Sequence, residues 1–112
     1  MARLSYLELP VTDTSGSKAF YATAFGWTFT DFGPSYASTM SGDTDVGLQA
    51  DAGERTSAPL PVIAVEDLDA TLNAVERGGG VVTRPIFAFP GGRRFHFRDP
   101  DGHELAAMRI EG

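Results

Sequence analysis

The chain has 112 residues, of which 42% are hydrophobic and 21% charged, as expected for one globular domain with a substantial core. Its formal net charge of −6 argues against nucleic acid or an anionic membrane as the main partner, and the absence of cysteine excludes disulfides, thiolate metal sites and a cysteine nucleophile. No apolar run approaches the roughly 18 residues that a membrane span needs, so we expect a cytoplasmic protein without a membrane partner.

The first half of the chain predicts a strand, a helix and three further strands. The helix is expected to begin at a cap on Asp13 or Thr14 and to end at Gly26. It carries an apolar stripe at helical spacing, formed by Phe20, Tyr21, Ala24 and Phe25. Apolar and β-branched runs predict strands at residues 4–11, 27–32, 36–40 and 46–50.

The second half predicts the same order of elements after a polar linker. A strand at residues 60–65 is followed by a helix capped by Asp67, with a stripe of Leu68, Leu72 and Val75 and a stop at glycines 78–80. A short strand follows at residues 81–83, and residues 89–92 predict a loop. Because the segments starting at Val11 and Val65 lie 54 residues apart, close to half the chain length, the pattern indicates an internal repeat.

The stretch from Gly92 to Met108 predicts an antiparallel hairpin. Its turn is Asp99-Pro100-Asp101-Gly102, where proline fixes one φ and glycine accepts a positive one. Side chains alternate along the first strand, so one face is apolar with Phe95 and Phe97. The opposite face carries Arg94, His96 and Arg98.

Four motifs in this order resemble the vicinal oxygen chelate superfamily, also called the glyoxalase/bleomycin-resistance/dioxygenase family. They are Leu9-Pro10-Val11-x-Asp13, Ala19-Phe20-Tyr21-x-x-x-Phe25-Gly26-Trp27, Val65-x-Asp67-Leu68-Asp69-Ala70 and Phe97-x-Asp99-Pro100-Asp101-Gly102-His103. The resemblance implies an α+β fold in which two βαβββ modules form a curved mixed sheet around a cup, with the helices outside. It also implies a small organic ligand in the cup and a homodimer. We therefore expect a single domain over residues 1–112, with module one at about 1–52, a linker at about 53–59 and module two at about 60–112.

In the metalloenzymes of this family, His or Glu side chains on the strands hold a divalent cation. The resemblance places those ligand positions on Tyr6, Leu60, Ala106 and, on the fourth strand, near Gly47 or Gln49. Leu60 and Ala106 have no donor atom, and tyrosine and glutamine are poor ligands beside histidine and carboxylate. We therefore expect no metal and no cofactor.

The cup is still expected to bind a ligand. The candidate ligand-binding residues are Tyr6, Glu8, Gln49, Arg94, His96 and Glu104, and Glu8 and His96 are the candidate catalytic bases. Relatives that confer fosfomycin resistance place substrate-binding side chains where Arg94 and His96 stand. We predict that five of these side chains converge on one cavity, where they could orient a polar molecule and move a proton. They are Tyr6, Glu8, Arg94, His96 and Glu104.

Each candidate also has a structural interpretation. The arginines Arg94 and Arg98 could pair with Glu8 or Glu104 across strands, and His96 could be a hydrogen-bonded wall of the cup. For Tyr6 the structural alternative is packing, and for His103 it is stabilisation of the turn. The aromatic residues Trp27, Phe29 and Phe32 are expected in the core or a dimer interface.

Two functions and a weaker third remain open from the sequence. The first is a metal-independent protein that binds or sequesters a small organic compound or drug. The second is a lyase or isomerase of glyoxalase type, with Glu8 or His96 as general base in place of metal chemistry. The third is a metalloenzyme whose unusual ligand set would be Glu8, His96 and Glu104.

Overall fold

A computed structural model describes residues 2–111, and over this range the chain forms eight strands and two helices. Their order is β-α-β-β-β followed by the same order again, so the α+β class and both βαβββ modules are confirmed. The elements are β1 (Arg3–Pro10), α1 (Thr14–Phe25), β2 (Thr30–Asp31), β3 (Tyr36–Ser38), β4 (Asp45–Gln49), β5 (Leu60–Ala64), α2 (Leu68–Arg77), β6 (Val81–Phe89), β7 (Gly92–Arg98) and β8 (Glu104–Ile110).

The chain divides into two compact units. The N-terminal unit comprises residues 6–60, and the C-terminal unit comprises residues 61–111 together with residues 2–5. The predicted module and linker boundaries remain predictions.

The N-terminal unit contains a mixed sheet in the order β2-β3-β4-β1. Its β1 and β4 run parallel, with Glu8 opposite Gly47, while β3 and β4 run antiparallel, with Ser38 opposite Gly47. Residues two apart on a strand share a face, so Tyr6, Glu8, Tyr36 and Ser38 lie on the same face of this sheet. The opposite face carries apolar residues, including fully buried Ala37 and Leu48.

The C-terminal unit contains a sheet in the order β5-β8-β7-β6, with α2 on one face. The core on that face consists of buried Leu68, Phe95 and Ala107, with the half-buried residues Val65, Leu72, Val75, Val82, Ile86 and Phe97 around it. The predicted stripe of α2 therefore packs as expected. Phe95 and Phe97 face the helix, which leaves Arg94 and His96 on the other face of β7.

Strand β6 is longer than predicted and has two register shifts. It continues from the expected residues 81–83 through Pro85 to Phe89, and the turn is confined to residues 90–91. The pairing shifts between Val82 and Arg84 and again between Arg84 and Phe87. Each shift inserts an extra residue, as in a β-bulge. As a result, Arg84 pairs with His96 and Phe87 pairs with Arg94.

Helix α1 ends as predicted, but its aromatic stripe is exposed. The Asp13 carboxylate caps its first turn by accepting a hydrogen bond from the Gly16 N–H at 2.8 Å, and Gly26 ends it with a φ of 72°. However, Phe20 and Phe25 are 60% and 63% exposed, an unusual position for large aromatic residues. The more buried positions of the helix are Thr14, Ser17, Lys18 and Tyr21.

The segment after α1 also differs from the prediction. The ring of Trp27 stacks on Tyr21 at a centroid distance of 5.4 Å, so the chain folds back on the helix instead of entering a long strand. The predicted strand at residues 27–32 is therefore wrong except for Thr30–Asp31. The predicted strand at residues 36–40 is shortened to Tyr36–Ser38.

Candidate functional site

A cluster of hydroxyl groups surrounds a buried carboxyl group in the N-terminal unit. The Tyr6 and Tyr36 hydroxyls are hydrogen-bonded at 2.5 Å, and the Tyr36 hydroxyl oxygen also lies 3.2 Å from Glu8 Oε1. The Tyr6 hydroxyl also donates to Ser38 Oγ at 2.9 Å. Glu8 is only 2% exposed. We call Tyr6, Glu8, Tyr36 and Ser38 the hydroxyl cluster.

The Tyr36 phenol of this cluster keeps its proton. Burial, the adjacent Glu8 charge and the neighbouring Tyr6 phenol raise the pKa of Tyr36 far above its usual range. A phenol that keeps its proton can donate or accept a hydrogen bond, but it cannot act as an anionic base at physiological pH. The hydroxyl cluster is therefore suited to orienting a polar group.

The absence of a side chain at Gly47 makes room for this cluster. An added Cβ would overlap the hydroxyls of both Tyr6 and Tyr36, and it would lie 2.7 Å from Tyr6 Cζ. The nearby Gln49 side chain instead accepts a hydrogen bond from the Asp51 backbone N–H at 3.0 Å. Thus neither residue near the expected fourth ligand position offers a carboxylate or imidazole.

Two further expected metal positions, Leu60 and Ala106, are apolar. Leu60 and Ala106 are both fully buried. Within residues 2–111, no group of three or more histidine, cysteine, aspartate or glutamate side chains is arranged to hold a metal ion. The side chains at the expected positions therefore do not fit a divalent-metal centre.

The C-terminal unit carries a basic and aromatic face. The Arg84 guanidinium carbon lies 3.6 Å from the Phe87 ring centroid, and that of Arg94 lies 5.3 Å from the same centroid. The Phe87 ring is also 5.7 Å from the His96 ring, centroid to centroid. We call Arg84, Phe87, Arg94 and His96 the basic face. It brings two positive charges and an imidazole to one aromatic ring.

A carboxylate orients the imidazole on this face. His96 Nδ1 lies 3.3 Å from Glu104 Oε2, and His96 is only 3% exposed. A carboxylate accepts hydrogen bonds, so this contact places the ring proton on Nδ1 and leaves Nε2 as an acceptor. His96 Nε2 is buried and has no hydrogen-bond partner among residues 2–111.

The environment of His96 favours its neutral form. Burial and the neighbouring Arg94 charge lower its pKa, and Arg84 acts in the same direction, whereas Glu104 opposes the shift. A neutral imidazole with a free lone pair on Nε2 can accept a hydrogen bond or a proton from a ligand. This chemistry is compatible with both binding and general-base catalysis.

The remaining polar residues of the hairpin stabilise its turn. Asp99 accepts hydrogen bonds from the His103 N–H at 2.9 Å and from the Asp101 N–H at 3.0 Å, and it contacts the exposed His103 ring at 3.1 Å. Arg98 donates to the Gly102 carbonyl at 2.8 Å. The turn interpretation of His103 therefore agrees with these contacts, and Arg98 is held in the turn as well.

A shallow groove of about 390 Å³ lies elsewhere in the N-terminal unit and contains none of the predicted site residues. Its walls include Trp27, Met40 and Asp45. The Asp45 carboxylate already accepts hydrogen bonds from Thr39, Ser41 and Gly42, so its oxygens are occupied by the loop itself. The hydroxyl cluster and the basic face are therefore better candidates for a functional site than this groove.

The structure thus places the predicted site residues in two groups, one in each unit. Tyr6 and Glu8 belong to the hydroxyl cluster, and Arg94, His96 and Glu104 lie on the sheet face of the C-terminal unit opposite α2. Their convergence on one cavity remains a prediction. Sequence reasoning missed Tyr36, Ser38, Arg84 and Phe87. Pro85 was the available signal for the last two, because proline within a strand often marks a bulge.

Comparison with known proteins identifies relatives over nearly the whole chain. The family model of the Glyoxalase/Bleomycin resistance protein/Dioxygenase superfamily matches residues 3–107. The protein named "Putative glyoxylase CFP32" from Mycobacterium bovis is 31% identical over 109 residues, covering 88% of this chain and 42% of the relative. The chain therefore spans about two fifths of the length of the curated relatives it matches.

Solved structures share the fold at lower identity. Methylmalonyl-CoA epimerase from Mycobacterium tuberculosis superimposes with a TM-score of 0.75 at 14% identity, covering 97% of this chain and 88% of the other. The Mn(II)-bound glyoxalase from Novosphingobium aromaticivorans gives a TM-score of 0.69 at 24% identity, covering 97% and 40%. Among residues 2–111, neither helix has the length and apolar character needed to cross a membrane.

Proposed function

The chain belongs to the Glyoxalase/Bleomycin resistance protein/Dioxygenase superfamily, and within it we propose that this protein binds a small organic molecule without a divalent metal. The basic face carries this proposal. It combines a buried imidazole acceptor with aromatic surface and guanidinium donors, which are the groups that small-molecule sites use to fix and orient a ligand. The side chains at the expected metal positions support binding without a metal, since Leu60 and Ala106 offer no ligand atom.

Native mass spectrometry tests this function directly. The protein is measured as purified and again after incubation with nickel, cobalt, zinc and manganese. We expect no stoichiometric metal, and a retained small organic mass would identify the ligand. Stoichiometric metal that is lost in the His96→Ala variant would contradict the proposal and favour the metalloenzyme.

A second candidate function is proton transfer by a lyase or isomerase. The Glu104 contact supports it, because it positions the His96 ring with Nε2 as the acceptor, and the lowered pKa keeps this nitrogen unprotonated near neutral pH. Glu8 is the alternative base. In this reaction His96 Nε2 would remove a carbon-bound proton from the ligand and return it to another carbon or to the leaving group.

Two variants separate binding from catalysis. With the organic molecule found by mass spectrometry, Glu8→Gln and His96→Ala are assayed for affinity and for exchange of ligand protons with deuterium from solvent. Loss of exchange with retained affinity favours catalysis. If the wild type shows no exchange and the variants lose affinity, the result favours a binding protein.

We also propose a homodimer. The exposed aromatic patch of Phe20, Phe25 and Trp27 supports it, because these side chains are 60%, 63% and 38% exposed. A second copy of the chain would remove this apolar area from water. The cytoplasmic location remains a prediction.

A further inference from the structure

We infer that the ligand carries an uncharged O–H or N–H group on a flat ring, and that this group donates a hydrogen bond to His96 Nε2. This inference rests on the proposed binding function and names the class of ligand. His96 is its specificity-determining residue, because an acceptor atom selects for a ligand that has a donor.

The unpartnered acceptor of His96 carries the first step. His96 is only 3% exposed, and its Nε2 has no hydrogen-bond partner among residues 2–111. Buried polar atoms nearly always have a hydrogen-bond partner, because an unpaired one has given up its hydrogen bond to water without replacement. A donor on a bound ligand would supply the missing partner, which makes Nε2 a recognition atom.

The Glu104 contact fixes the polarity of this atom. A carboxylate only accepts hydrogen bonds, and Glu104 Oε2 lies 3.3 Å from His96 Nδ1, so the ring proton is on Nδ1. In the neutral ring, Nε2 then has a lone pair and no proton. A ligand carboxylate, ether or ketone has no proton to offer to this nitrogen, whereas a hydroxyl, amine or amide does.

The burial of His96 favours a donor without charge. Burial is the largest cause of the lowered pKa of His96, because it penalises the charged imidazolium. An ammonium donor beside Nε2 would lose its hydration in the same way. A neutral O–H or N–H group avoids this penalty and still completes the hydrogen bond.

Two of the side chains beside the imidazole are apolar. Its pairing partner on β8 is the fully buried Ala106, which lies on the same face of the sheet. The Phe87 ring lies 5.7 Å from the His96 ring, centroid to centroid, at an interplanar angle of 52°. Phe87 is only half-buried, so we expect a small ligand to approach Nε2 beside this ring. These neighbours favour a flat, apolar frame around the donor.

Three probes of similar size test this class of ligand. Phenol carries a hydroxyl donor on a flat ring, toluene has a methyl group in place of the hydroxyl, and cyclohexanol carries the donor on a ring that is not flat. Each is titrated into the whole protein at up to millimolar concentration. We expect phenol to bind about tenfold more tightly than toluene, since it pairs the buried acceptor, and also more tightly than cyclohexanol. Toluene is more apolar than phenol, so burial of apolar surface alone would give the opposite order.

The imidazole nitrogens report directly on this hydrogen bond. Their resonances are followed by nitrogen NMR during each titration. With phenol, the Nε2 resonance of His96 should move to that of a hydrogen-bonded acceptor, while Nδ1 stays protonated. His103 is the internal reference, because its ring is exposed on the turn beside Asp99 and its resonances should not move.

Matched substitutions of the two histidines test the role of the acceptor. His96→Phe keeps a flat ring and removes the acceptor, so phenol should lose its preference over toluene. His103→Phe, the same change on the exposed turn, should bind both probes like the wild type. If His96→Phe does not fold, the comparison of phenol with toluene and the Nε2 resonance of the wild-type protein decide alone.

The outcomes separate this inference from the function on which it rests. Phenol that binds no more tightly than toluene, an Nε2 resonance that phenol leaves unmoved, or an unchanged preference in His96→Phe would each overturn the donor ligand. Cyclohexanol that binds as tightly as phenol would overturn the flat ring.

Native mass spectrometry supplies the remaining distinction. If the protein retains an organic molecule that has no O–H or N–H group, this inference fails and the proposed function stands. If the retained molecule has such a group, its removal should shift the Nε2 resonance, and an unmoved resonance overturns the inference in the same way. If no probe binds and no molecule is retained, both fail.

Discussion

Replacing Gly47 with alanine would add a methyl group where the hydroxyl cluster lies. The new Cβ would overlap the hydroxyl oxygens of Tyr6 and Tyr36 and would lie 2.7 Å from Tyr6 Cζ. Gly47 is buried in β4, opposite Glu8 on one side and Ser38 on the other. The two tyrosine rings must therefore move apart, which breaks the hydrogen bond between their hydroxyls.

The expected cost follows from two effects. Overpacking a close-packed site costs about 1–3 kcal/mol. Loss of a hydrogen bond between the phenols adds about 0.5–1.5 kcal/mol. We therefore expect Gly47→Ala to lower the free energy of unfolding by about 1.5–4.5 kcal/mol, a large part of the stability of a small domain.

Urea unfolding at neutral pH measures this loss. Gly53→Ala is the matched control, because the nearest atom to its Cβ is Asp51 Oδ1 at an ordinary 3.4 Å. In a Tyr36→Phe background, Gly47→Ala should cost less, since one of the overlapping hydroxyls is gone. A Gly47→Ala protein as stable as the Gly53→Ala protein would refute the close packing of the tyrosine pair over Gly47.

Three further predictions follow from burial and capping. Because the pKa of His96 is lowered on folding, the unfolded chain binds more protons between that pKa and 6.5, so stability should fall as the pH drops below about 6.5. Urea unfolding at several pH values should show a flatter dependence in His96→Gln than in the wild type, and an unchanged slope would contradict this role of His96. Asp67→Ala should lower the free energy of unfolding by about 1 kcal/mol, because it removes the acceptor for the Ala70 N–H at the start of α2; calorimetry that shows no loss would contradict this role. In sedimentation velocity, Phe25→Ser should shift a dimer towards monomer. Val81→Ser, at an equally exposed position outside the aromatic patch, should not. A Phe25→Ser protein with the wild-type sedimentation coefficient would argue against an interface at this patch.

Local sequence signals located the elements that depend on neighbouring residues. Asp13 and Asp67 each accept a hydrogen bond from the N–H three residues later, as their positions before helical patterns indicated. The alternation through Phe95, His96 and Phe97 correctly assigned the two faces of β7, because side chains of a strand alternate regardless of its partners.

The sequence was less informative about α1. An apolar stripe predicts a buried side only if the sheet covers it. Here the more buried side of the helix includes Ser17 and Lys18, and Lys18 ion-pairs with Asp31 at 2.7 Å. Phe20 and Phe25 therefore remain exposed although their spacing is helical.

By itself, the sequence determined the order of elements, the caps and the turn, because these follow from periodicity and local hydrogen bonding. The candidate status of Glu8, Arg94, His96 and Glu104 came from the family resemblance that the motifs carry. Only the tertiary structure revealed Arg84 and Phe87, since two bulges shift the register of β6 and no alternation pattern predicts where an extra residue is inserted. It also decided the roles of Tyr36 and Gly47. Their contacts join β3, β4 and β1, so they depend on strand pairing between residues as far as 39 positions apart, such as Glu8 and Gly47.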